Sequence, residues 1–174
     1  EGGEDGVIHL WDTATGKPQA DLKEHNDWIT ALVFSPDGKQ LATGAYNGTI
    51  RLWDVPGPPK KIANLPAPPM PPPKDPPTPS PVLALEFSPD GKTLAAGHAD
   101  ASLVLLNLPD GKVLRPFAGH QSAVSALAFH PSGTLLASGS KDRTVRLWNP
   151  ANGQPFKVLE GHESWVDGLA YLFQ

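Results

Sequence analysis

Short apolar runs alternate with polar turns along this chain, and the alternation is clearest between residues 119 and 160. Ser122 to Phe129 (Ser-Ala-Val-Ser-Ala-Leu-Ala-Phe) is apolar on both alternations, the pattern of a strand covered on two faces. His130-Pro131-Ser132-Gly133 follows as a turn, with Pro presetting φ and Gly free to take a positive one. Thr134 to Ser138 reads as a second strand and Lys141-Asp142-Arg143 as a second turn. Thr144 to Trp148 is a third strand, Pro150-Ala151-Asn152-Gly153 a third turn, and Phe156 to Leu159 a fourth strand. Four short antiparallel strands make a meander that buries its faces only by stacking on neighbours.

The unit recurs. Trp11 and Trp53 are 42 residues apart, as are Leu106 and Trp148, and as are Phe87, Phe129 and Tyr171 in succession. Only Trp53 to Leu106 differs, at 53 residues. The distance from a third-strand Trp or Leu to the next first-strand aromatic is 23 everywhere except Trp53 to Phe87, where it is 34. The 11 extra residues therefore lie between one unit's last strand and the next unit's first. Thirteen of the chain's 21 prolines fall between residues 56 and 81, which predicts an extended polyproline segment without sheet donors. Within it, Pro69, Pro72 and Lys74 fit the spacing of a ligand for an aromatic-lined groove, but short Pro-rich patterns arise easily and a stiff surface loop or strap is the favoured reading.

The recurring residues include Gly119-His120 and Gly161-His162, the turns Ser35-Pro36-Asp37-Gly38 and Ser88-Pro89-Asp90-Gly91, and the dipeptides Trp11-Asp12 and Trp53-Asp54. In these the chain resembles the WD40 repeat family over nearly its whole length outside residues 56 to 81. The resemblance implies an all-β fold of β-propeller blades, each a four-stranded antiparallel meander. It divides the chain into third and outer strands of a leading blade (1–24), a full blade (25–65), a Pro-rich insertion (66–80), a full blade lacking the His and Trp (81–118), a full blade (119–160) and the inner strand of a trailing blade (161–174). That inventory predicts an incomplete ring, or a segment of a seven- or eight-bladed propeller. An open arc leaves apolar blade faces in water; several hundred Å² at about 25 cal/mol per Å² costs on the order of 10 kcal/mol per face. The expectation is that further sequence or other chains complete the ring.

The resemblance also implies a structural hydrogen-bond set of His, Ser or Thr, Asp and Trp in each blade. Carried over by position, the last full blade has His120, Ser138, Asp142 and Trp148, and the first has His25, Thr43, Asn47 and Trp53. The middle blade has Thr78, Ala96, Asp100 and Leu106, so it is expected to hold together by packing; the leading fragment keeps Asp5 and Trp11. A His, a Ser and an Asp in one unit invite comparison with a nucleophilic triad. Their recurrence at repeat spacing, with substitutions a catalyst would not survive, favours the structural role.

Composition removes other classes. A formal charge of -4 offers no basic stripe for nucleic acid. Without Cys there is no thiolate chemistry, and no apolar run approaches the roughly 20 residues of a membrane span. No catalytic, cofactor-binding or metal motif is present. Asn47-Gly48-Thr49 matches a glycosylation acceptor, but it needs no sugar as a β-turn, and the turn is the favoured reading. On the rim formed by inter-blade loops and second-to-third-strand turns, Trp28, Tyr46 and Trp165 are candidate partner-binding anchors, with His98 and Lys141 beside them. The expected function is a protein-interaction scaffold working through the rim and the Pro-rich strap. The alternatives are an architectural subunit packing by its blade edges, or a regulatory domain of a larger enzyme.

Overall fold

The computed structural model describes residues 3–55, 60–65 and 80–171. Every element among them is a strand. β1 (Ile8–Trp11) and β2 (Pro18–Leu22) form a two-stranded sheet. Three four-stranded antiparallel sheets follow in chain order: β3 (Ile29–Phe34), β4 (Gln40–Ala45), β5 (Ile50–Asp54) and β6 (Lys60–Leu65); β7 (Val82–Phe87), β8 (Thr93–His98), β9 (Leu103–Asn107) and β10 (Val113–Phe117); β11 (Val124–Phe129), β12 (Leu136–Ser140), β13 (Val145–Trp148) and β14 (Pro155–Leu159). The sequence predicts the second strand of the last sheet at Thr134 to Ser138, and the structure moves it two residues on. Thr134 lies in the preceding turn, closed by the His130 N–H on the Leu135 carbonyl, and the pairing with β13 begins only at Leu136 opposite Trp148.

β3, β7 and β11 lie side by side as the innermost strands of their sheets. The sheets stack through apolar faces. Leu52 and Leu65 of the first meet Val82, Phe87, Leu94 and Leu106 of the second. Leu103, Leu105 and Phe117 of the second meet Val124, Phe129, Leu136 and Trp148 of the third. Ile8, Leu10 and Leu22 meet Leu41 and Trp53 in the same way.

One contact repeats at each step. Gly44, Gly97 and Gly139 occupy equivalent places in the second strands, and a Cβ on any of them would lie 2.5, 2.7 and 2.6 Å from a γ-methyl of Val82, Val124 and Val166 respectively. The second strand is thus notched to admit a valine of the next repeat. A bulge in each inner strand lies beside the notch, between Ile29/Ala31, Val82/Ala84 and Val124/Ala126. Two of the bulged residues carry hydroxyls that cross to the next repeat: Thr30 donates to the Val82 carbonyl and Ser125 to the Val166 carbonyl at 2.7 Å. The middle bulge is Leu83, which has no donor to offer.

Residues 161–171 run where a further inner strand would run. Val166 is buried in the Gly139 notch and its N–H reaches the Ser140 carbonyl at 3.2 Å. Among the described residues this segment has no strand partner, and it carries no strand assignment.

Gly97→Ala is expected to lower unfolding stability by about 1–3 kcal/mol, because the new methyl meets both a Val124 methyl and the Val124 carbonyl. Urea denaturation of Gly97→Ala, Val124→Ala and the double variant checks this, the double losing less than the sum of the singles.

Candidate functional site

In each four-stranded sheet, the second-to-third-strand turn and the approach to the first strand share one end, here called the rim. In the last sheet the hydrogen-bond set is complete. His120 Nδ1 lies 2.8 Å from Asp142 Oδ2, His120 Nε2 lies 2.7 Å from Ser138 Oγ, and Trp148 Nε1 donates to that same oxygen at 2.7 Å. Asp142 also accepts from Gln121 N–H and, on its other oxygen, from the Thr144 N–H and hydroxyl. Burial alone would raise the Asp142 pKa, but these donors outweigh it and hold the carboxyl well below its ordinary range. An ionised Asp142 accepts only, so His120 carries its proton on Nδ1 and Ser138 donates to Nε2. Ser138 is fully buried with its oxygen engaged twice, which suits a clamp and leaves no path for a substrate carbonyl.

The first sheet wires the same residues differently. His25 Nε2 lies 2.7 Å from Thr43 Oγ1, and Trp53 Nε1 donates to that oxygen at 3.0 Å. Asn47 Oδ1 accepts from the Thr49 N–H and hydroxyl, as Asp142 Oδ1 does from Thr144. Where Asp142 has a second acceptor, however, Asn47 has an amide donor. Arg51 supplies the alternative, its Nη1 standing 2.7 Å from His25 Nδ1. A guanidinium donates only, so His25 Nδ1 accepts and the proton moves to Nε2. The two histidines occupy matching places in opposite tautomers. Burial, reinforced by the Arg51 charge, lowers the His25 pKa from 6.5 to about 4. Burial also lowers that of His120, against the pull of Asp142.

The middle sheet replaces the set with packing at Ala96 and Leu106, both fully buried; Thr78 lies outside the described residues. Asp100 accepts from the Ser102 N–H and hydroxyl, and its own N–H reaches Ser80 Oγ. His98 departs from its expected place on an exposed turn. It ends β8 and is 1% exposed, with neither ring nitrogen bonded among the described residues. Strand alternation explains this, since His98 falls on the same face as Leu94 and Ala96, which packs against the first sheet. Burial lowers its pKa and keeps the ring neutral.

The rim aromatics are exposed. In each sheet the N–H of the first residue after the second strand bonds the carbonyl of the residue just before the first: Tyr46 to Trp28, Ala99 to Pro81, Lys141 to Ala123. That bridge sets the two side chains beside one another. Trp28 and Tyr46, each 51% exposed, meet with ring centroids 5.8 Å apart. Lys141 finds only Ala123 in its own sheet, and its ammonium lies 4.3 Å from the centre of the Trp165 ring, which is 59% exposed. Pro69, Pro72 and Lys74 lie outside the described residues. Arg51 is not among the residues that the sequence pattern singles out; the repeat offers a signal, since Arg51 and Arg146 occupy the same position of their units. No cluster of His, Asp or Glu among the described residues could hold a metal, and no helix among them is long and apolar enough to cross a membrane.

Comparison with known proteins matches residues 16–54, 76–106 and 111–149 to the model of the WD domain, G-beta repeat. Among curated proteins, the chain is 31% identical over 105 residues to periodic tryptophan protein 2 homolog of Schizosaccharomyces pombe, covering 60% of this chain and 11% of that protein. It is 38% identical over 102 residues to the small ribosomal subunit protein RACK1 of Drosophila melanogaster, covering 59% and 31%. It is 41% identical over 62 residues to coronin-7 of Rattus norvegicus, covering 36% and 7%. The chain thus spans less than a third of each of these relatives. A crystal structure of the computationally designed Ika8 protein superposes with a TM-score of 0.81 at 30% identity, covering 99% of this chain and 49% of that one.

Stability is expected to fall as pH drops from about 6.5 toward about 4, because folded His25 binds its proton less readily than the unfolded chain does. Asn47→Asp restores the second acceptor. It should move the His25 proton to Nδ1, raise the His25 pKa and add about 1–2 kcal/mol at neutral pH. Nitrogen-15 NMR of the ring reports the tautomer, and thermal melts across pH report the stability.

Proposed function

Because the chain belongs to the WD40 repeat family, we propose that it is a rigid scaffold that docks protein partners on its loop rim. The observation that carries this reading is the half-exposed Trp28–Tyr46 pair, held in place by a backbone bridge and standing clear of the apolar core. Large aromatics that are already ordered bury area on binding at little entropic cost. Trp165, backed by Lys141, offers a second anchor on the same rim. On this reading the Pro-rich segment with Pro69, Pro72 and Lys74, which joins β6 to β7 in sequence, contributes to partner capture as a strap.

A second reading, docking by blade edges, draws support from Trp11 and Phe34. They are 49% and 55% exposed, whereas Phe87 and Phe129, the counterparts of Phe34, are 4% and 8% exposed against a preceding sheet. On this reading a further blade, from additional sequence or another chain, covers those side chains.

Alanine at Trp28, Tyr46 or Trp165 should weaken partner capture by about tenfold or more, with circular dichroism and melting unchanged. Loss of capture on Phe34→Ala with the rim variants unaffected would favour the edge reading. Deleting residues 66–79 should reduce capture without unfolding the sheets if the strap contributes.

A further inference from the structure

The end of the sheets opposite the rim carries a feature the rim reading leaves unused. Between the middle and last four-stranded sheets a cleft of about 660 Å³ opens, bounded by the Pro89 and Pro150 turns. Its apolar wall has a specific origin. The register of β10 shifts between Val113 and Arg115, so Leu114 is bulged out of the ladder and stands 44% exposed over Leu105 and Phe129.

Next to it is Arg115, whose Cδ lies 3.7 Å from where a Cβ on Gly153 would sit. Its aliphatic stem therefore rests on the last sheet's turn. Its guanidinium has no acidic partner among the described residues. The one carboxylate lining the cleft, Asp90, is committed to its own turn, where it accepts from the Ser88 hydroxyl and the Lys92 N–H.

The matching cleft one repeat earlier, of about 430 Å³, has the same bulge at Ile62 but different chemistry. Ala63 stands where Arg115 stands, and three carboxylates, Asp37, Asp54 and Asp90, line the space with Lys39. Between two clefts of the same build the lining goes from balanced charge, Arg115 with Asp90, to net negative, three carboxylates with Lys39.

We propose that the cleft between the middle and last sheets binds a short extended segment of a partner protein that carries a carboxylate side chain beside an aliphatic or aromatic one. The carboxylate pairs with the Arg115 guanidinium, whose planar fork matches two carboxylate oxygens. The apolar side chain covers Leu114 and reaches toward Phe129. The neighbouring cleft repels the same segment.

The test is fluorescence anisotropy with the folded chain and two labelled hexapeptides, Asp-Leu-Phe-Glu-Leu-Asp and Lys-Leu-Phe-Lys-Leu-Lys. Saturable binding of the acidic peptide alone is expected. Arg115→Ala should weaken it about tenfold or more, with Arg115→Lys intermediate and Leu114→Asp abolishing it. Ile62→Asp in the neighbouring cleft and Trp28→Ala on the rim should leave it unchanged, which separates this site from the rim. Binding of neither peptide, equal binding of both, or indifference to Arg115→Ala overturns the proposal, with circular dichroism confirming that each variant is folded.

Discussion

The arrangement of repeats depends on one steric condition: the second strand of each sheet must be bare where the next repeat's valine enters. Gly44, Gly97 and Gly139 meet it, and any side chain there would overlap a branched methyl or backbone carbonyl of the following repeat. The condition makes the stacking directional and fixes its offset, because a valine displaced along the strand would meet Thr43 or Ala45 instead. Hydroxyl donors from Thr30 and Ser125 then lock the offset at two of the three steps. The middle step relies on apolar contact, consistent with its large joint core around Leu105, Phe117, Phe129 and Trp148. The cleft and the Lys141–Trp165 contact inherit their spacing from this offset, since both are built from side chains on adjacent repeats.

Within a sheet, a second constraint is how to finish a buried imidazole. Both His25 and His120 reach a hydroxyl through Nε2, and both hydroxyls also receive a Trp indole N–H. What differs is the outer nitrogen. Given an acceptor, Asp142, it donates; given the amide of Asn47, it accepts from Arg51. Buried polar sets tolerate substitution only if each donor still meets an acceptor, and here one tautomeric shift reconciles the exchange. The result is electrostatic asymmetry between similar blades, with His25 much harder to protonate than its ordinary value.

The repeat was legible from the chain because it rests on residue type at fixed spacing: the Trp and Phe landmarks, the Ser-Pro-Asp-Gly turns and the Pro-rich interruption. Three features were not. His98 reads as a polar turn residue, and only the actual end of β8 shows that alternation turns it inward. The Arg51–His25 contact joins side chains 26 residues apart, and position in a repeat does not say which of several neighbours reaches a nitrogen first. The cleft beside Arg115 depends on a one-residue bulge whose effect, turning Leu114 outward, has no local composition signal. Each concerns side-chain direction, which periodicity leaves open.

The two ends of the sheets differ in how they can recognise a partner. On the rim, the Trp28 and Tyr46 rings are held over a backbone bridge and offer shape and apolar area, while Trp165 lies against the Lys141 ammonium. At the opposite end, bulged outer strands present one apolar side chain per repeat over clefts whose charge changes from one repeat to the next. Because Ile62 and Leu114 are nearly equally exposed, at 41% and 44%, apolar area alone cannot distinguish those clefts. Arg115 against Ala63, with the differing carboxylates, can. On the proposal that a partner segment docks there, discrimination at that end is electrostatic, because the repeat keeps its backbone geometry constant while its polar positions vary.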